Sequence, residues 1–76
     1  MNNPRRKQLA EISEKLSELR SMLESVKDEE EEYMKNIPEN LQSSERYEKA
    51  ENAVDNLDSA LDSLDEAISD IESASE

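Results

Sequence analysis

Ala53-Val54-Asp55-Asn56-Leu57-Asp58-Ser59 is followed directly by Ala60-Leu61-Asp62-Ser63-Leu64-Asp65-Glu66, and then by Ala67-Ile68-Ser69-Asp70-Ile71-Glu72-Ser73. Each unit opens on Ala, places an aliphatic residue second and fifth, and fills the rest with acids, Ser or Asn. This is a heptad with apolar a and d positions, the pattern that lays one α-helix along another. The seam runs Tyr47, Ala50, Val54, Leu57, Leu61, Leu64, Ile68, Ile71 and Ser75, at alternating steps of three and four. A period of seven marks a coiled coil, since solenoid repeats are several times longer.

The upstream half reads the same way. Leu9, Ile12, Leu16, Leu19, Leu23, Val26, Glu30, Tyr33 and Ile37 keep the same spacing, with Glu30 as the one acid in the seam. Asn3 is a candidate cap for this helix, with Pro4 in its first turn. Pro38 disfavours a helical Ile37, so the first helix should end there. Ser43 or Ser44 can cap the second helix, with Glu45 in its first turn. The expected fold is all-α: helix one over about 4–36, a turn over 37–43, and helix two over about 44–74, in one domain spanning 1–76. So short a connection favours an antiparallel hairpin. A single long helix kinked at Pro38 is the alternative.

An antiparallel register follows from the letters. Pairing Ile37 with Ala50 sets Tyr33 against Val54, Val26 against Leu61, Leu23 against Leu64, Leu19 against Ile68 and Leu16 against Ile71. Every layer is apolar except Glu30 with Leu57. The e row of helix one contains Arg20 and Lys27; that of helix two is Glu51, Asp58, Asp65 and Glu72. Lys27 should face Asp58 and Arg20 should face Asp65, and such opposite signs select orientation and register. Arg5, Arg6 and Lys7 should sit beside Asp70, Glu72 and Glu76, each cluster offsetting the other's misfit with its helix dipole.

The g row of helix two is Ala53, Ala60, Ala67 and Ala74. These small residues widen the apolar stripe, and Met22 and Met34 are expected to widen helix one likewise. Such a width suits a four-helix bundle, so the hairpin is expected to dimerise or to lend the stripe to another protein. Alternatively, Ala simply permits close helix approach.

Composition narrows the function. The 76 residues carry a formal charge of −12, with no Gly, Cys or His. Residues 1–27 hold six bases and four acids, for +2, and residues 28–76 hold three bases and seventeen acids, for −14. So acidic a chain repels nucleic-acid phosphates and anionic lipid, so neither is an expected direct partner. A protein partner is expected, either a second copy or a basic surface. Without His or Cys the commonest bases, nucleophiles and transition-metal ligands are missing. Without Gly there is no phosphate-cradling loop and no calcium-binding EF-hand turn. The chain is therefore expected to be no enzyme and to need no cofactor or metal. It has no apolar run of transmembrane length, and its first residues, Met1-Asn2-Asn3-Pro4-Arg5-Arg6-Lys7, lack the apolar core of a secretory signal. The expected compartment is the cytoplasm.

Three features are candidate sites. Asp28-Glu29-Glu30-Glu31-Glu32 is either a solvated turn or a docking patch for a basic surface. Asp55, Asp58, Asp62, Asp65, Glu66 and Asp70 form an acidic ladder. Carboxylates three or four residues apart on a helix stand about 5–6 Å apart, a spacing comparable to that of nucleic-acid phosphates. The ladder can imitate nucleic acid, or it can be an ordinary solubilising face. Tyr33 and Tyr47, the only aromatics, lie near the turn with Met34, Ile37 and Leu41. They either anchor a partner or plug the open end of the hairpin. The partner-binding candidates are thus Met22, Tyr33, Met34, Leu41, Tyr47, Ala53, Ala60 and Ala67.

Asp28 to Glu32, Ile37-Pro38-Glu39-Asn40-Leu41-Gln42, Ser44-Glu45-Arg46 and the repeating Ala-x-x-x-Leu-Asp pattern carry a resemblance. Over roughly residues 28–74 the chain resembles a group of short, acidic, uncharacterised helical proteins of bacteria and their phages and mobile elements. The resemblance implies an all-helical hairpin and a mobile-element origin. It implies no activity and assigns no functional residue. Two functions stay open: a non-catalytic protein-interaction module, and an acidic inhibitor of the phage anti-defence type that mimics nucleic acid. A purely structural oligomer is a third.

Overall fold

The computed structural model describes residues 1–41 and 44–76. Helix α1 spans Asn3–Lys35 and helix α2 spans Glu45–Ala74, with a short 3-10 turn at Glu39–Leu41 between them. No strand occurs among the described residues. Arg46 meets Tyr33, Asp58 meets Lys27 and Asp65 meets Arg20, so numbering falls along α1 as it rises along α2. The helices are antiparallel, and the molecule is a rod of 59 × 15 × 12 Å. The hairpin, not the kinked single helix, is the architecture. No helix among the described residues is long and apolar enough to cross a membrane.

The caps explain the helix limits. Asn2, not Asn3, caps α1: its side-chain oxygen accepts from the Arg5 amide at 2.9 Å. Helix α1 stops at Lys35, and the Asn36 amide donates to the Glu32 carbonyl at 3.1 Å. Pro38 has no amide to continue the ladder. Its carbonyl instead accepts from the Leu41 amide at 2.8 Å, which builds the 3-10 turn inside the connection. Ser44 caps α2, its hydroxyl accepting from the Tyr47 amide at 3.3 Å. Gln42 and the alternative cap Ser43 lie outside the described residues.

Burial follows the heptads on α2 and departs from them on α1. Ile37, Ala50, Val54 and Leu61 form the buried core. The α2 residues Tyr47, Leu57, Leu64, Ile68 and Ile71 are half-buried on the same a and d rows. On α1 the half-buried residues, Glu31 aside, are Leu9, Ser13, Leu16, Arg20, Leu23, Lys27, Glu30 and Met34. These are the a and e rows. The expected d row is turned outward, so the layers assigned to Leu19, Val26 and Tyr33 are only half formed. The cause lies in the e rows. Arg20 and Lys27 reach the acids of α2 with their alkyl stems laid along the seam, and this rolls α1 about its axis.

Candidate interaction surface

The e rows close one long edge of the hairpin. The Arg20 guanidinium grips Asp65 with two parallel bonds, Nε to Oδ1 and Nη2 to Oδ2, the second at 3.1 Å. Its remaining nitrogen, Nη1, donates to Glu24 Oε2 at 2.6 Å. The Lys27 ammonium lies 2.6 Å from Asp58 and 3.5 Å from Glu31. Both expected cross-helix pairs are therefore present. The hydrogen bond from Arg20 holds the Asp65 carboxyl below the usual carboxylate range, and the bond to Asp58 raises the Lys27 ammonium.

These shifts set a pH window. A lowered carboxyl stabilises the fold above its ordinary value, and the contribution is lost as pH falls through the lowered one. A raised ammonium stabilises below the ordinary lysine range, and the contribution is lost as pH climbs through the raised value. Asp65→Asn should therefore lower the melting temperature by a constant few degrees across neutral pH. In strong acid the native chain and the variant should melt together. Thermal circular dichroism from pH 2 to pH 8 checks this; a difference that persists undiminished in strong acid would contradict the pairing.

The opposite edge stays open. With the e rows on one side of the seam, the g rows of both helices lie on the other. There the turned-out d row of α1 joins Met22. Ile12 is 46% exposed, Leu19 54%, Met22 64%, Val26 52% and Tyr33 42%. The Ala row of α2 borders this edge, with Ala53 and Ala60 half-buried and Ala67 exposed. At the free end of the hairpin the row runs into an open groove of about 440 Å³, lined by Met1, Arg5, Gln8, Leu9, Ile12 and Lys15 among others.

The structure separates the partner-binding candidates. Met22, Tyr33, Ala53, Ala60 and Ala67 share the open edge. Met34 does not widen that edge as expected. It sits half-buried on the e row, at the closed side. Tyr47 is half-buried at the turn end, whereas Leu41 is 44% exposed there. Tyr33 is a tie as well as a surface residue. Its hydroxyl accepts from Arg46 Nε at 2.6 Å, and the guanidinium carbon stands 5.7 Å from the ring centre. Ile12, Leu19 and Val26 are surface residues that heptad reading placed in the core. The signal that identifies them is the e row of α1, where Arg20 and Lys27 face a wholly acidic row.

The ladder is less uniform than its spacing suggested. All six acids are exposed, but Asp58 and Asp65 are held by Lys27 and Arg20. Asp55, Asp62, Glu66 and Asp70 carry no ion pair among the described residues. In the acid run, Glu31 pairs with Lys27 and Glu30 is half-buried on the seam. The terminal clusters do come side by side, Arg6 and Glu72 lining one groove between the helix ends, but without direct ion pairs. Among the described residues none of Arg5, Arg6 and Lys7 forms an ion pair with Asp70, Glu72 or Glu76, and Arg6 instead donates to Asn3 at 3.3 Å. Exposed charges at helix ends are screened by water, so the attraction does not repay the ordering of long side chains.

No family model, no curated protein and no solved structure matches the chain. Its function is read from the surface itself.

Proposed function

We propose that the chain is a non-catalytic protein–protein interaction module whose working surface is the open edge. One observation carries this reading: Ile12, Leu19, Met22, Val26 and Tyr33 are aligned on one side of α1, each more than two-fifths exposed. Single exposed apolar residues are ordinary, but a contiguous apolar row rimmed by charge marks an interface. Helical spacing makes it a helix-against-helix surface, in which such residues act as anchors. The small residues Ala53, Ala60 and Ala67 beside it let a further helix approach closely. The reading calls on no catalytic residue, cofactor or metal.

The acidic mimic is the second reading. It is favoured by Asp55, Asp62, Glu66 and Asp70, which are exposed and form no ion pair among the described residues. The two readings place the partner on different sides. A photo-reactive side chain at position 22 should give a discrete cross-linked adduct in the cells that make the protein, and one at position 62 should give none. An adduct from position 62 alone would favour the mimic. Adducts from neither position would sink both.

A further inference from the structure

We infer that the open edge is covered by a second copy of this chain, docked antiparallel through α1 with the two-fold axis near Met22. This rests on the reading above that the open edge is the working surface.

Three observations single out this occupant. The first is the scale of the core. Among the described residues Ile37, Ala50, Val54 and Leu61 are the buried apolar ones, and no side chain is fully buried. A two-helix rod with so thin a core gains most from a partner that buries a second seam. The second is the charge along α1. Residues 1–27 carry +2, whereas the rest of the chain carries −14. A basic partner would be repelled where the apolar row is longest, and a strongly acidic one would meet Asp28 to Glu32. A second α1 running the other way meets each end with its opposite. An α1-to-α1 contact also keeps the two acidic α2 helices apart.

The third observation is the order of residues in the row. Leu19, Met22 and Val26 form an apolar centre, with Lys15 on one side and Glu29 on the other, both in the g row with Met22. A two-fold axis near Met22 sets Leu19 by the partner's Val26 and Ile12 by the partner's Tyr33. It brings Lys15 to the partner's Glu29, and symmetry makes that contact twice. The groove lined by Met1, Arg5, Gln8, Leu9 and Ile12 then receives the partner's turn end, where Tyr33 and Leu41 are both exposed. One operation thus covers the row, the groove and the exposed turn.

The chain has no Cys, so a single introduced thiol reports its own surroundings. In the purified full chain, Met22→Cys should form a disulfide-linked dimer under mild oxidation. Ser59→Cys, on the outer f row of α2, should form it at least tenfold more slowly. Lys15→Glu and Glu29→Lys should each weaken association by about tenfold at low salt, and the double variant should regain native affinity to within about twofold. Circular dichroism on each variant confirms that the helices persist. Equal cross-linking rates at positions 22 and 59, or no rescue in the double variant, would overturn the proposed docking. If the purified chain is monomeric while the photo-adduct from position 22 holds a different protein, self-docking fails and the interaction reading stands. A monomer with no adduct from position 22 sinks both.

Discussion

Replacing Leu61 by Ala should lower the melting temperature of the hairpin by about 10–15 °C. Leu61 is 5% exposed and is the largest of the three buried α2 side chains. Deleting a buried leucine removes transfer energy and leaves a cavity, at about 2–5 kcal/mol in well-packed proteins. The lower end applies here, because a pair of helices can close part of the gap. The same deletion at Leu19, which is 54% exposed, should shift the melt of a dilute sample by less than about 5 °C. Both residues look like core leucines in the heptads. Thermal circular dichroism on the two variants therefore tests the roll of α1, and equal losses would contradict it.

Leu19→Asp should leave the dilute hairpin folded and weaken its association by about 100-fold. The substitution withdraws an apolar side chain from each copy, roughly 1.5 kcal/mol per site, or about 3 kcal/mol per dimer. A carboxylate set against the partner's apolar row adds to that loss. Val26→Asp should act alike, since the two-fold axis sets these residues against each other. The ladder substitutions Asp55→Asn and Asp62→Asn should leave self-association unchanged or strengthen it, because they reduce like-charge repulsion between copies. The acidic mimic reverses this order: it loses its partner with the ladder and is indifferent to Leu19. Salt separates the two readings again. Screening should favour contact between two copies that each carry −12, and weaken the hold of an acidic rod on a basic groove.

Much of the fold was legible in the letters, and the reasons are local. The three heptads from Ala53 to Ser73 admit only a helix seam, and Pro38 can only end α1. The opposed e rows picked out Lys27 with Asp58 and Arg20 with Asp65, because those pairs follow from register and sign alone. What was not legible depends on competition between similar groups. Asn2 and Asn3 are equally good caps, and the choice turns on which backbone turn Pro4 completes. Sign and register bring Arg6 beside Glu72, yet the letters do not say that water, not a direct ion pair, satisfies those exposed charges. The outward d row is the most consequential miss. A heptad assignment treats a and d alike, whereas Arg20 and Lys27 decide which row turns into the seam. The candidate site was half visible for the same reason: Met22 and the Ala row were legible, and Leu19 and Val26 were hidden by their resemblance to core.

Sedimentation equilibrium of the native chain and Leu19→Asp, over a wide concentration range with helicity followed on the same samples, tests the central claim most directly. The account predicts a native dimer that dissociates on dilution into hairpins that keep their helicity, and a variant that stays monomeric at concentrations about 100-fold higher. A native chain that is a fully helical monomer throughout, or a dimer unaffected by Leu19→Asp, would contradict it.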